Sequence, residues 1–366
     1  MVVGILATGL IAAVGLSVDV GNLTLQKNKL QKGVDSAAMA VAQDCAAASR
    51  PGATAAATAR CAAGTGTSTA QTMVNGNIVS ATAGGLAGLT PANNVLTATG
   101  SKSVPMTFAQ AIGVGAKSIT ASATARWDQV PVSGVTFLPL ALSLCDYYRD
   151  SAAAFAAGDA AVNKTYRYDF YQSSIPLLGL SLAADSCNTP SGTVSMNKGA
   201  VWLPGLFESL PNIAGLVKQD GDCSFSTDII HNVSGLVSAL GVLFPSDCHA
   251  KVLTLVKGNT YLFPVYKSNP ILGLGVNLSL DVDIVGYAKF KVTGYKVDGS
   301  LLGGSLIDNQ DSSQPACVKT VLLLGNQCRA IQGHFVTSVK REPGIQYATK
   351  SSTNLDLGAV AVKITE

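Results

Sequence analysis

The first eighteen residues of the chain contain no charged side chain, and this apolar run constrains the fold more than any other feature. As an α-helix the run would extend about 27 Å at about 1.5 Å per residue, close to the ~30 Å hydrocarbon core of a bilayer. A secretory signal peptide is the alternative, but it places basic residues ahead of its apolar part, and this run includes none. We therefore expect one helix that spans a membrane or packs among similar helices.

The helical pattern continues beyond Asp19 to about Ser49, where Arg50, Pro51 and Gly52 end it. A continuous helix of this length is too long to lie wholly in lipid, so its second half must pack on protein. We expect a helical segment over residues 1–50, with a kink near Gly21 or Gly33. The apolar positions at helical spacing after the run are Val20, Leu23, Leu30, Val34, Ala38 and Val41.

Charged residues make up 13% of the chain, about half of the ~25% found in ordinary soluble domains, and the formal net charge is +3. The small net charge argues against a nucleic-acid-binding domain that relies on a strongly basic surface. With 48% hydrophobic residues, the composition also argues against intrinsic disorder. Such a low-charge surface suits a protein that works outside the cytoplasm.

Eight cysteines occur without a C-x-x-C pair and without histidines at zinc-site spacing. We expect all eight in disulfides, none bound to metal, which places everything after Gly21 in an oxidising compartment. Sequence alone leaves the connectivity open, but pairs of sequence neighbours close the shortest loops, and we favour them. The cysteines are Cys45, Cys61, Cys145, Cys187, Cys223, Cys248, Cys317 and Cys328.

After the helix, the sequence predicts an α+β head over residues 51–130 and a mainly β domain over residues 131–366. In the head, we expect a strand near residues 95–98, a short turn or helix after residue 108, and a strand at 118–127. In the second domain, residues 276–284 alternate apolar and polar side chains with a period of two. Further expected strands are residues 251–256, 260–266, 288–295, 319–324 and 331–339.

The segment from Val18 to Ala40 resembles the N-terminal signature of the Tad (Flp-type) pilus-assembly TadE/TadG-like proteins of bacteria. In that signature a membrane helix ends in V-D-x-G and continues into L-Q-x-x-x-D-x-A-A, which stand here at residues 18–21 and 30–38. Residues 104–127 also resemble the strand pair that closes the first domain of these proteins. Parts of residues 138–335 resemble, more loosely, the C-terminal half of actinobacterial TadG-related members.

This resemblance implies a non-enzymatic subunit of a type IV-like pilus, with a long pilin-like helix, a small α+β head and a disulfide-rich β domain. The protein would be a minor pilin-like or assembly subunit, with other pilins or Tad pilus-assembly proteins as partners. It would sit in the bacterial cell membrane as a single-pass protein with its large domain outside, or in the extracellular filament. A bulk filament subunit is disfavoured, because major pilins carry an acidic residue near the mature N-terminus and no acid precedes Asp19. Family members usually carry a basic segment before the apolar run. We therefore expect either that the start of this sequence is mis-assigned or that the chain is a processed, trimmed form.

Catalytic and metal-binding motifs give little support for another chemistry. Neither H-E-x-x-H nor G-x-S-x-G occurs, so we expect no enzyme and no cofactor. Asp222, Ser224 and Ser226 spell D-x-S-x-S, a weak candidate for a metal site, but a polar turn precedes them where a buried strand is needed. A surface-anchored binding module, an adhesin or a DNA-capturing tip that uses the β domain, stays open as the second function. Exposed aromatic side chains on that domain, or an ion at Asp222, would favour it.

We expect assembly to depend on the first helix. Asp19 would favour one axial register if it meets a neighbour's cation, because a slipped register leaves the carboxylate against apolar surface. Deletion of residues 1–25 should then leave a soluble, disulfide-bonded head that fails to join its complex, and Asp19→Ala should weaken incorporation without affecting folding. The apolar residues expected to mediate assembly are Leu16, Val20, Leu23, Leu30 and Val34.

Overall fold

A computed structural model gives the fold. It describes residues 2–49, 58–59, 61, 94–136, 138, 140–157, 166–169, 185–189, 192–196, 198–202, 217–219, 225–228, 233–238, 254–269, 277–298, 306–312, 320–321, 325–326, 330–351 and 355–365. The chain divides into two compact units, of which the first comprises residues 1–128 with 362–366 and the second residues 129–361. The helix and the head, expected as separate segments, thus share one unit, and the last residues of the chain belong to it.

The first unit is built on one helix, α1, that runs from Val2 to Ala48 without interruption. This confirms the single long helix predicted for the N-terminus, and the helical assignment continues through Gly21 and Gly33. The amide of Ser49 donates to the carbonyl of Cys45, so the last turn closes just before the Arg-Pro-Gly sequence. Residues after the apolar run are held on protein, since Leu30 and Val34 are fully buried.

A β-hairpin packs against α1. Its strands are β1 (Val95–Val104) and β2 (Lys117–Thr136), and a 3-10 helix (Ala109–Ile112) lies between them. The strands pair antiparallel from Val95 opposite Arg126 to Val104 opposite Lys117, which confirms the strand, turn and strand predicted for the head. Every second residue of β1 is buried, and Gly100 lets the strand approach the helix closely, because a Cβ there would lie 2.8 Å from Val34 Cγ2.

The second unit contains a large sheet organised around one long strand. Its described strands are β3 (Leu140–Ser143), β4 (Tyr166–Asp169), β7 (Ala200–Trp202), β10 (Val233–Ser238), β11 (Thr260–Asn269), β12 (Asn277–Asp298), β13 (Leu306–Asn309) and β16 (Ala330–Val336). Their order in the sheet is β4-β16-β12-β11-β3-β7, and β10 and β13 also pair with β12. All the pairs are antiparallel except β3 with β11, which are parallel.

The remaining strands form smaller pairings. These strands are β5 (Asp185–Thr189), β6 (Gly192–Met196), β8 (Val217–Gln219), β9 (Phe225–Asp228), β14 (Thr320–Val321), β15 (Gly325–Asn326), β17 (Ile345–Thr349) and β18 (Ala361–Thr365). In the second unit the latter part of β2 pairs with β17 and with β9, and β9 pairs with β8. The strands β5 and β6 form a hairpin, as do β14 and β15, and β18 pairs with β2. A mostly β remainder after the long helix is therefore confirmed.

A second helix, α2 (Leu144–Ala157), packs on the large sheet and was not predicted. The Tyr147 ring lies 5.1 Å from that of Phe335, which lies 5.3 Å from Phe290, so aromatic rings join the helix to the sheet. A start signal is present in the sequence: Ser143 and Asp146 have the spacing of a capping box, and Ser143 Oγ accepts from the Cys145 amide.

One of the expected strands differs from the structure. Residues 254–256, the described part of the strand expected at 251–256, lead into a turn, because the Asn259 amide donates to the Val256 carbonyl and Gly258 has φ 87°. Of the strand expected at 319–324, Thr320–Val321 form a strand that pairs with β15, and the other residues lie outside the described part of the chain.

Both disulfides in the described residues join sequence neighbours. They are Cys45–Cys61 and Cys145–Cys187, as we predicted. The first ties the chain that leaves α1 back to the last turns of the helix, and the second ties α2 to the β5–β6 hairpin. The other four cysteines lie outside the described residues.

Candidate functional site

The contacts between α1 and the hairpin follow the helix toward its N-terminal end. Leu30 and Val34 pack beneath Gly100 of β1, and the Lys102 ammonium donates to Gln26 Oε1 at 2.8 Å. Later in the hairpin, residues 107–109 meet Asp19. Because β1 runs antiparallel to α1, the tip of the hairpin lies beside the end of the uncharged run.

Asp19 is the central polar residue of this region. Its carboxylate accepts three backbone N–H bonds, from Thr107 at 2.9 Å, Phe108 at 2.9 Å and Ala109 at 2.7 Å. These amides belong to the N-terminal end of the 3-10 helix, whose preceding residue gives no side-chain cap. The Asp19 side chain is 2% exposed and therefore serves as the cap from a distant position in the sequence.

The ionisation of Asp19 follows from this arrangement. Burial disfavours the charged carboxylate, but the hydrogen bonds from Ala109, Thr107 and Phe108 together outweigh it and lower the pKa of Asp19 below 3.8. The carboxylate is therefore ionised at neutral pH and bound within its own chain. Within the described residues its partners are thus three backbone amides of the head, and its pairing with a neighbour's cation stays a prediction.

Several large apolar side chains of the first unit face solvent. On α1, Val14, Val18 and Leu25 fall on one side of the helix, and Leu16 and Val20 on another. Between these two groups, Gly15 and Asp19 face the hairpin and are buried. The head thus covers one face of α1 and leaves its two flanks uncovered. The exposed fractions are Val14 58%, Leu16 41%, Val18 53%, Val20 58%, Leu25 51%, Phe108 48% and Val114 45%.

The predicted assembly residues therefore separate into two groups. Leu16 and Val20 are exposed and available to a partner. Leu23 is half-buried, while Leu30 and Val34 are fully buried against the hairpin. The last two belong to the core of the first unit, since a helical period alone does not distinguish packing within a chain from packing between chains, and their role in assembly stays a prediction.

Sequence reasoning missed the contribution of the hairpin tip to this surface. Phe108 packs so closely on α1 that a Cβ on Gly15 would lie 2.9 Å from the Phe108 side chain. Phe108 and Val114 then add exposed apolar surface beside the helix. No sequence signal singled the tip out, because residues 103–116 carry no charged side chain but neither do residues 61–101 or 129–145.

An ionic cluster of two buried carboxylates and one exposed guanidinium occupies the start of α2 in the second unit. The Arg149 guanidinium binds Asp146 at 2.9 Å and Asp150 at 2.6 Å, and the Gly199 amide donates to Asp146. Burial raises the pKa of Asp146 to about 6, against the lowering effects of Gly199 and Arg149. The carboxylate links α2 to the segment before β7, a structural connection that the sequence did not reveal.

The weak metal candidates are only partly covered by the structure. Asp222 and Ser224 lie outside the described residues. Ser226 belongs to β9, and its backbone pairs with Val135 of β2. In the described part of the chain, no three His, Cys, Asp or Glu side chains lie together as a metal site would need.

The length and composition of the helices bear on membrane insertion. Among the described residues, no helix combines the length and the apolar composition needed to cross a bilayer.

Comparison with known proteins gives one match. Residues 1–44 match the Tad family model, described as "Putative Flp pilus-assembly TadE/G-like". The matched segment includes α1 up to the residue before Cys45, which forms the first disulfide. It therefore includes Gly15, Asp19 and the exposed apolar residues of the helix. No curated protein and no solved structure matches the chain.

Proposed function

The chain is TadE/TadG-like over its first 44 residues, and from this premise we propose that it is a minor pilin-like or assembly subunit of a bacterial Tad pilus, without catalytic activity. Residues 1–18 of α1 insert in the cell membrane with the large domain outside. From there the same segment passes into the pilus or its assembly complex. Its partners are other pilins or Tad assembly proteins, and within the family we place it near the actinobacterial TadG-related members.

The observation that carries this proposal is the uncovered apolar surface on the matched helix. Leu16 and Val20 are 41% and 58% exposed, although they stand within or beside an uncharged run. Removing apolar surface from water stabilises an association by about 25 cal/mol for each Å² buried. A helix that is held on its own head by one face and is apolar on both flanks suits packing among other helices.

The same residues support membrane insertion before assembly. As a helix the uncharged run extends about 27 Å, close to the ~30 Å hydrocarbon core. Asp19, the first acid of the chain, is bound by three amides of the head, so its charge is compensated where the run ends. The two disulfides support exposure of the following domain to an oxidising compartment.

Exposed aromatic side chains on the β domain would favour the binding-module alternative. Among the described residues, Phe263, Tyr287, Phe290 and Phe335 are at most 1% exposed, and Tyr148, Tyr261 and Tyr347 are half-buried. These rings give the alternative no support, so the assembly function is the one we propose.

The test compares two full-length variants in the native host. Leu16→Gln/Val20→Gln makes both exposed positions polar, whereas Leu16→Met/Val20→Ile keeps them apolar. The chain is then quantified in the membrane fraction and in sheared extracellular filaments. We expect the polar variant to be lost from filaments or assembly complexes and the apolar variant to behave as wild type. Equal incorporation of both variants would contradict the proposal.

A further inference from the structure

The hairpin tip of the first unit exposes two large apolar side chains. Residues 103–116 contain no charged side chain, and Lys102 and Lys117 stand on either side of them. Phe108 and Val114 are 48% and 45% exposed within this stretch. Phe108 packs on α1 at Gly15, beside the exposed apolar residues of the helix, and a contiguous exposed apolar patch marks a contact with a protein or a membrane.

The tip is held rigidly at one level of α1. Three amides of residues 107–109 bind the Asp19 carboxylate, and Phe108 packs on Gly15. Gly113, with φ 85°, closes the 3-10 helix, and the Val114 amide donates to the Ala109 carbonyl. These contacts place Phe108 beside the last turn of the uncharged run, whose final residue is Val18.

From this geometry we propose that the hairpin tip, residues 103–116, is a second membrane-contacting element that seats Phe108 and Val114 in the interface of a lipid bilayer. The inference rests on the proposed function, since it assumes that residues 1–18 insert in the membrane. Where the uncharged run ends, the bilayer surface is reached, and the tip lies at that level. The head would then contact the membrane through its hairpin tip, in addition to being anchored there by its helix.

The observations favour lipid over a neighbouring protein chain as the occupant. The exposed residues of the tip continue the exposed apolar flank of α1 at the level where a bilayer surface would lie. Interfacial segments bury Phe and Leu side chains at the boundary between headgroups and acyl chains, and a flanking lysine such as the exposed Lys117 suits anionic headgroups. Asp19 is the nearby acid that would oppose contact with such headgroups, and its carboxylate is buried beneath the tip. The contact would define how far the helix inserts.

The experiment uses photo-crosslinking in the full-length chain. A benzophenone amino acid replaces Phe108 in one variant and Val114 in a second, each expressed in the native host. The control position is Gln43, which is exposed on the same helix about 42 Å from Gly15 at about 1.5 Å per residue. After irradiation, the adducts are identified by mass spectrometry. We expect lipid adducts at residues 108 and 114, and none above background at residue 43.

A vesicle measurement supplies an independent readout. The full-length Phe108→Trp variant is reconstituted in phosphatidylcholine/phosphatidylglycerol vesicles with shallow or deep spin-labelled lipids, and Gln43→Trp is the control. The fluorescence of the wild-type chain is subtracted to give that of the added tryptophan. We expect the shallow label to quench the tryptophan at residue 108, and neither label to quench the one at residue 43. Equal quenching at both positions would overturn the inference.

The outcomes separate this inference from the proposed function. If the chain is in the membrane fraction but residues 108 and 114 crosslink only to other proteins, the lipid contact is wrong and the assembly role stands. If the wild-type chain is absent from both membrane and filament fractions, the proposed function fails first, and the inference fails with it.

Discussion

Asp19 shows how one side chain can define a local fold. It lies at the end of an uncharged helical run, yet its carboxylate is buried and is bound by three amides from a segment about 90 residues later in the chain. Because a buried carboxylate requires such donors and these amides require an acceptor, each group satisfies the other. The position of the hairpin tip on α1 depends on this exchange.

We expect Asp19→Ala to destabilise the first unit and to loosen the hairpin tip, contrary to our sequence-based prediction that folding stays intact. Alanine leaves the amides of residues 107–109 without their acceptor, whereas Asp19→Asn keeps one acceptor oxygen and should have a smaller effect. Hydrogen exchange of these three amides is the measurement. Unchanged protection in Asp19→Ala would show that the cap does not hold the tip.

Asp146 has the opposite electrostatic character, because burial raises its pKa from 3.8 to about 6. The folded state then binds a proton more readily than the unfolded chain, so this residue adds stability as the pH falls from about 6 to about 4. The stabilisation is lost as the pH rises from about 4 to about 6 and is absent above that, and its full size is on the order of 3 kcal/mol at about 1.36 kcal/mol per pKa unit.

The corresponding prediction concerns Asp146→Asn, which is neutral at every pH and still accepts the Gly199 amide. Thermal unfolding of the full chain at pH 4.5, 6 and 7.5 should show a Tm difference between wild type and variant that changes with pH through this window. Asp150→Asn is the matched control, since it alters the same Arg149 contact. A pH-independent difference for Asp146→Asn would refute the assignment.

At the scale of elements, α1 is secured at both ends of its contact with the head. Asp19 and Gly15 hold the hairpin tip, and Cys45 holds the chain that leaves the helix. Between them, Leu30 and Val34 are buried against β1. The helix is therefore held on the head from Gly15 to Cys45, while apolar side chains between Val14 and Leu25 stay exposed on its flanks.

Removing the Cys45–Cys61 bridge should destabilise the first unit by about 3 kcal/mol, because the closed loop of 16 residues regains its entropy when unfolded. We expect the Cys45→Ser/Cys61→Ser variant to unfold at a lower denaturant concentration than wild type. A single Cys45→Ser variant controls for an unpaired thiol at residue 61. A double variant as stable as wild type would indicate that α1 is held by packing alone.

At the scale of the whole molecule, the chain combines a TadE/TadG-like helix with a large sheet that carries its own aromatic core. The second unit is stabilised by burial of Phe263, Phe290 and Phe335 and by the Cys145–Cys187 bridge. The two kinds of core arise from different parts of the chain, so truncation at the N-terminus should leave the second unit folded.

The structure sharpens the truncation experiment. Deleting residues 1–25 removes Asp19 and Gly15, so it should disturb the head as well as assembly. Deleting residues 1–13 retains both residues, and we expect a folded, disulfide-bonded chain that is lost from membrane and filament fractions. Normal incorporation of the shorter deletion would restrict the assembly role of α1 to Val14 and the residues that follow it.

The sequence by itself determined the long helix, the strand–turn–strand of the head, the mostly β remainder and two of the disulfide pairs. These features depend on local periodicity, on turn residues and on short loops, all of which are visible in the chain order. Only the tertiary structure decided which apolar face of α1 is covered, since Leu30 and Leu16 obey the same helical pattern but only Leu30 lies under β1. It also decided the partner of Asp19, because a contact between residues about 90 positions apart depends on how the hairpin packs and leaves no mark in local sequence.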